Sequence, residues 1–303
     1  VTPAGLKKLA QIPNIEKIYA NGQVKYINPV ASSRPFHGMR LDGAYPYGLA
    51  DLGIDKLMQK RPDLQGKGVV VGLIDTGVDG KHPALAGKIP LFYDAGKNEI
   101  TEPTDEGSHG THTAGTILGG DREANIIGVA PQARLIASAA LSGYDNMIRA
   151  MEFMLDPDKN PNTNDRPRLI SNSWNAEGAP DIELFYRAIS AWEAAGILPI
   201  FSAGNSGPRP QSITKPHEHP SVIAVGATGK DGKIARFSSR GPAIFQGQTI
   251  QKPDFTAPGV DILSSVPGGG LQTMSGTSMA SPHAAGVATL LFQANPKLNP
   301  AQV

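Results

Sequence analysis

The chain has 303 residues, 40% of them hydrophobic and 18% charged, with a formal net charge of +1 and no cysteine. That balance is ordinary for a packed globular protein, and it leaves no charge excess to attract nucleic acid or an anionic membrane and no apolar run long enough to span a bilayer. The missing cysteines exclude a disulfide framework, a thiolate nucleophile and cysteine-ligated zinc, while 35 glycines and 26 prolines predict many tight turns around a rigid scaffold.

Residues 1 to about 30 predict a short helix with Leu6 and Leu9 on one face, then a hairpin of 15–19 against 24–27 turning at Asn21-Gly22. Residues 28–48 are rich in proline, glycine, serine and arginine without a period, which reads as a linker open to proteolysis. An α/β alternation then begins. Residues 69–74 are uniformly apolar, as in a parallel strand buried on both faces. A helix is expected over 109–118, a strand over 134–141, a helix over 146–155 and a strand over 168–173. The stripe Ile182, Phe185, Ile189, Trp192 and Ala195 marks an amphipathic helix over 181–195. Strands at 197–202 and 222–227 and a small-residue helix over 277–292 complete the pattern. It predicts a doubly wound, mostly parallel central sheet with helices on both faces. The absence of an initial methionine, and Pro300 placed as if to open a further helix, make both ends read as cut.

In such sheets ligands bind outside the carboxyl ends of the strands, and Asp75, Ser173 and Asn205 fall at or just past such ends. A carboxylate there needs a partner such as an imidazole N–H, although Asp75 alone also reads as a turn residue. Asp79, next to Gly80, reads as an ordinary turn. His109 opens a helix in which Gly110, Ala114 and Gly115 permit close packing, and histidine suits a general base. His112 reads as a packed structural residue rather than a second metal ligand, since no HExxH arrangement surrounds the pair. Ser278 stands where a helix begins and amides are unpaired; taken alone it reads as an N-cap, and Pro282 is expected in the same first turn. A serine attacks only with a base to take its proton and donors to hold the oxyanion.

Taken together, the segments IDTGVDGKHP (74–83), SHGTHTAG (108–115), SAGN (202–205) and GTSMASPHAAG (276–286) resemble the subtilisin-like serine peptidases, the subtilases. So do IGVAP (127–131), PSVIAVGAT (220–228), FSSRGP (237–242) and KPDFTAPG (252–259). The order Asp, His, Ser is that of subtilisin. The resemblance runs from about Tyr47 to Val303. It implies Ser278 as nucleophile, His109 as base, Asp75 as the group orienting His109, and Asn205 with the Ser278 amide as the oxyanion hole. No cofactor is required. Residues 171–175 look like the bacillopeptidase F subgroup and imply that Ser173, Trp174 and Asn175 pair with an extended substrate, hence broad protein and peptide substrates. Residues 1–32 resemble the end of a subtilase propeptide, an inhibitor of its own peptidase, with a processing linker to about 47; a peripheral hairpin of the mature domain is the other reading. Residues 48–303 are then the peptidase domain, truncated at its C-terminus. A secreted enzyme made as a self-processed precursor is expected, with neither nucleic acid nor membrane as partner.

The chain also departs from the family pattern. Asn175 stands where many relatives have glycine, which alters the wall of the first specificity pocket, and after Leu141 the chain runs almost directly into a helix, so distant subsites are expected to be shallow. Calcium is a structural ion the family implies, but Ala84 replaces an acidic ligand common in relatives. Asp156, Asp158 and Asn160 begin an EF-hand-like loop that lacks glycine at its sixth position (Pro161) and glutamate at its twelfth (Pro167), making them weak calcium candidates. A catalytically silent relative serving as a binding or scaffold domain is the alternative function. An α/β-hydrolase esterase is disfavoured because no Gly-x-Ser-x-Gly surrounds Ser278.

Overall fold

A computed structural model describes residues 3–13, 15, 17–18, 20–35, 44–120, 126–176, 178–179 and 181–303. In chain order the elements are helix α1 (Pro3–Leu9), strands β1 (Lys25–Tyr26) and β2 (Ala31–Ser32), helices α2 (Tyr47–Asp51) and α3 (Ile54–Lys60), and strands β3 (Val70–Asp75), β4 (Leu91–Asp94) and β5 (Glu99–Ile100). Next come α4 (His109–Leu118), β6 (Arg134–Ala139), α5 (Tyr144–Leu155), β7 (Leu169–Asn172), β8 (Trp174–Asn175), α6 (Glu183–Ala194), β9 (Leu198–Ser202) and β10 (Ile223–Thr228). The last are β11 (Ala243–Phe245), β12 (Gln248–Ile250), β13 (Phe255–Pro258), β14 (Ile262–Val266), β15 (Gly270–Ser275) and α7 (Thr277–Ala294), then a single 3-10 turn, Pro300–Gln302.

The central sheet has eight strands in the order β13-β10-β9-β7-β3-β6-β4-β5, parallel except for β5. The doubly wound α/β architecture expected from the alternation is therefore present. Period-two alternation sorts the strand residues onto two cores. Val71 and Leu73 join α4 and α7 in one buried cluster, whereas Ile74, Ile136 and Ile170 join α5 and α6 in the other. From β3 the chain passes out to β4 and the edge strand β5, returns to β6 between β3 and β4, then crosses to β7 on the opposite side of β3. That reversal opens the crevice in which a ligand can sit.

Among the described residues the hairpin expected over 15–27 is not formed: residues 14, 16 and 19 lie outside the described residues, and Ile15 and Ile18 are exposed. Instead β1 pairs antiparallel with β8, and β2 pairs antiparallel with β15. Residues 31–32, taken in sequence as linker, are thus part of a three-stranded sheet, β14-β15-β2; residues 36–43 of that linker lie outside the described residues.

Helix α7 runs along the sheet's buried face, and at Gly286 it passes so close to Val129 that an added Cβ would lie 2.4 Å from the Val129 Cβ. Gly286→Ala gains ~1 kcal/mol of helix propensity but forces overpacking that typically costs ~1–3 kcal/mol. Thermal unfolding is expected to show a lower Tm for this variant; an unchanged or raised Tm would show that the contact has slack.

Candidate active site

The alternation that buries Val71 and Leu73 also aims Asp75 at the α4–α7 face of the sheet. Asp75 is fully buried. Its Oδ1 accepts the Thr76 amide at 2.7 Å and lies 2.7 Å from His109 Nδ1, while its Oδ2 accepts the Thr113 hydroxyl at 3.4 Å. The imidazole reaches it because α4 begins almost against the chain leaving β3. A Cβ on Gly110 would lie 2.0 Å from the Gly77 carbonyl oxygen, so only glycine fits there. With Nδ1 donating to the carboxylate, the geometry assigns Nε2 as the proton acceptor.

Asp105, to which none of the sequence motifs points, ties this corner together. Its Oδ2 accepts the Thr111 amide at 2.9 Å and the Thr111 hydroxyl at 2.6 Å, and its Oδ1 accepts the Thr76 hydroxyl at 2.8 Å and the Gly107 amide at 3.0 Å. An acid four residues before a helix that opens with histidine was the available signal: it meets unpaired amides at the positive end of the helix.

Ser278 is the second residue of α7, with Gly276 as N-cap, and is fully buried. Pro282 is not in the first turn but is the sixth helical residue. Its missing N–H removes the usual partner of the Ser278 carbonyl, and Ser173 Oγ supplies one at 3.4 Å while lying 3.0 Å from Ser281 Oγ. Asn205, just beyond β9, accepts the Thr277 amide at 2.9 Å and the Thr277 hydroxyl at 2.8 Å through Oδ1. This fixes the amide plane and leaves Nδ2 facing the crevice.

The crevice is filled by the chain's own N-terminal segment. The Ser278 hydroxyl donates to the Ile27 carbonyl at 2.8 Å, and Asn205 Nδ2 donates to the Asn28 carbonyl at 2.9 Å. The Ile27 amide donates to the Ser173 carbonyl at 2.8 Å, and Tyr26 and Lys25 lie opposite Trp174 and Asn175 in the β1–β8 ladder. Further back the Tyr144 amide donates to the Gly22 carbonyl at 3.1 Å, and Asn21 exchanges hydrogen bonds with Asp145. Val24 is buried among Met147, Trp174 and Phe185. The short connection after Leu141 therefore does not make this end of the channel shallow, because the first turn of α5 supplies the wall.

Other buried histidines brace the site. His112 Nε2 lies 3.0 Å from both the Ile262 and Gln272 carbonyls, joining α4 to the β14–β15 hairpin. His217 Nε2 lies 2.8 Å from the Trp174 carbonyl behind β8, and its Nδ1 lies 3.0 Å from the Thr214 hydroxyl. His283 Nδ1 bonds the Met279 carbonyl at 2.8 Å within α7. Far from the crevice, carboxylate oxygens of Asp156, Asp158 and Asp165 lie within 4.8 Å of one another. Asp156 and Asp158 accept the Asn160 amide, Asp165 accepts the Asp158 amide, and the Asn160 side-chain oxygen turns to Asn162.

The model of the subtilase family matches residues 66–303 of this chain. Bacillopeptidase F of Bacillus subtilis (strain 168) is 36% identical, over 97% of this chain and 22% of that protein. Serine protease AprX of the same strain is 34% identical over 100% of this chain and 71% of its own length, and subtilisin E is 32% identical over 85% and 64%. The chain thus spans about a fifth of bacillopeptidase F and about two thirds of the others.

Burial pushes the pKa of His112 down to about 3 and those of His217 and His283 down to about 4, against ~6.5 in an unfolded chain. Between those limits the unfolded state binds more protons, so stability is intact above about pH 6.5 and is lost as pH falls through the folded values. The slope reaches ~1.4 kcal/mol per pH unit for each group. Tm is expected to drop steeply from pH 6.5 to about 4; a flat profile over that range would contradict three buried neutral imidazoles.

Proposed function

This chain belongs to the subtilase family, and we propose that it is a serine endopeptidase in which Ser278, His109, Asp75 and Asn205 carry out acyl transfer. His109 Nε2 takes the proton of Ser278 Oγ as that oxygen attacks the scissile carbonyl. Asp75 Oδ1 holds the Nδ1–H, fixing the tautomer and stabilising the imidazolium that forms. Asn205 Nδ2, which here donates to the next carbonyl along, Asn28, and the Ser278 amide at the positive end of α7 are the donors that hold the oxyanion once the Ile27 carbonyl oxygen leaves the Ser278 hydroxyl and turns toward them. His109 then protonates the leaving amine, and water repeats the sequence on the acyl-enzyme.

The observation that carries this reading is the carbonyl of Ile27 seated on the Ser278 hydroxyl, within a strand bound as a substrate backbone would be. On that basis residues 1–27 act as the end of an inhibitory propeptide, five residues shorter than the 1–32 expected from sequence, and the self-cleaved bond is Ile27–Asn28, at the amino edge of the expected linker. Its leaving nitrogen is the secondary amide of Asn28, which His109 can protonate; the next bond would expel the ring nitrogen of Pro29. The mature domain then holds the remainder. Main-chain pairing along β8 reads backbone before side chains, which favours broad protein substrates, and a precursor blocked by its own strand suits release outside the cell. No described helix is long and apolar enough to cross a membrane.

The chemistry uses side chains and backbone alone. Calcium belongs to the reading as a structural ion: the all-oxygen set of Asp156, Asp158 and Asp165 is of the kind it takes, and these are the residues that would hold it.

A fluorophosphonate probe is expected to label Ser278 in the folded, matured chain. Mass spectrometry of freshly folded protein is expected to show loss of residues 1–27, with neither event in Ser278→Ala. Asn205→Ala is expected to lower kcat by about 10²–10³-fold, a range whose reference case is subtilisin itself. Absence of labelling in folded protein would favour a silent binding domain, and a cut that persists in Ser278→Ala would assign the processing to another protease.

A further inference from the structure

The same segment continues past Ser278, and its contacts there differ in kind from those before it. The Val30 amide donates to the Ser275 carbonyl at 2.7 Å and the Ser33 amide to the Thr273 carbonyl at 2.9 Å. Ala31 and Ser32 stand opposite Ser275 and Met274 in an antiparallel ladder. The Thr273 amide donates to Ser33 Oγ at 3.1 Å, and Gln272 Nε2 donates to the Ser33 carbonyl. Without residues 31–32, β15 would be an edge strand presenting unpaired donors and acceptors. That edge is rigidly backed, since β14 pairs with β15 along its whole length and His112 bonds the Gln272 carbonyl from behind.

Side chains on this half are turned outward. Asn28, Val30, Ala31 and Ser32 are exposed, Val30 at 54%, whereas Val24 and Ile27 on the other half are 2% and 5% exposed. The amino-side half is therefore held by buried side chains as well as backbone. The carboxyl-side half is held by backbone, supplemented by the Thr273 and Gln272 contacts to Ser33.

We propose that the edge of β15, from Gln272 to Ser275, binds the leaving-group half of a polypeptide substrate as an added antiparallel strand, engaging its third to sixth residues beyond the cut. This rests on the serine-peptidase reading above and narrows its substrate class. The enzyme acts on extended polypeptide that continues about six residues past the scissile bond, with little regard to their identity, and disfavours bonds near a carboxyl terminus.

The test uses matured enzyme and synthetic peptides copying residues 21–28, 21–30 and 21–33, which carry one, three and six residues beyond the Ile27 carbonyl. After self-cleavage the enzyme's own residues 28–33 stay tethered and compete for the edge. Peptide is therefore carried to several millimolar, about the effective concentration of a short flexible tether. From one leaving-side residue to six, kcat/KM is expected to rise at least ~10-fold, on the scale of a few net backbone hydrogen bonds. N-methylation of the third and sixth leaving-side amides is expected to remove the gain. Equal kcat/KM for all three lengths would overturn the proposal, as would enzyme that labels at Ser278 but cuts none of them. Enzyme that neither labels nor cuts would bring down the serine-peptidase reading itself.

Discussion

The site depends on how closely the first turn of α4 approaches the chain leaving β3. Gly110 has 2.0 Å between its would-be Cβ and the Gly77 carbonyl, so the approach is set by a missing side chain and held by Thr76 and Asp105 on the helix's first amides. That distance lets a carboxylate at the end of a buried strand meet an imidazole at the start of a helix, both inside the protein. Desolvation makes the pairing stronger than it would be in water, and the Thr76 amide shares Oδ1 with the imidazole while the Thr113 hydroxyl meets Oδ2. Helix α7 packs against α4 and brings Ser278 to the same crevice, braced by Ser173 from the approach to β8 and by Asn205 through Thr277.

Around this centre the protein offers two strand edges, β8 on one side of Ser278 and β15 on the other, and its own N-terminal segment lies on both. The helix that precedes the segment contributes little to holding it. Leu6 of α1 is exposed, as are Ile12, Ile15 and Ile18 beyond it, so among the described residues attachment comes from residues 21–33, with one long ion pair from Lys17 to Asp181. Val24 and Ile27 bury apolar area, and the rest is main-chain hydrogen bonding that any extended polypeptide can reproduce. On the reading proposed above, a segment that occupies the crevice in this way serves as inhibitor, as first substrate and as template for later substrates.

Much of this is legible in the amino-acid sequence. The uniform apolar run ending at Asp75 fixed both the central strand and the placement of its carboxylate, and the helices opening at His109 and near Ser278 were marked by glycine spacing and small residues. The N-terminal segment was not legible, for a physical reason. Strands β1 and β2 are two residues long, pair with partners more than a hundred residues away, and do so through backbone that carries no side-chain pattern. The Asn21-Gly22 turn signal misled because its residues serve another purpose: Asn21 binds Asp145, and a Cβ on Gly22 would lie 2.3 Å from the Tyr144 ring. Pro282 deceived in the same manner, its cost within the helix being offset by a hydroxyl from a distant strand end.

The central claim is that this corner of the sheet passes an acyl group through one serine oxygen. Rapid mixing of matured enzyme with an activated ester tests it most directly, since the leaving group is released on acylation and the enzyme regenerates only as water attacks. The account predicts a burst of leaving group equal in amount to the active protein, then a slower steady rate. Release that is linear from the first turnover, with no acyl-enzyme found by mass on rapid acid quench, would contradict it.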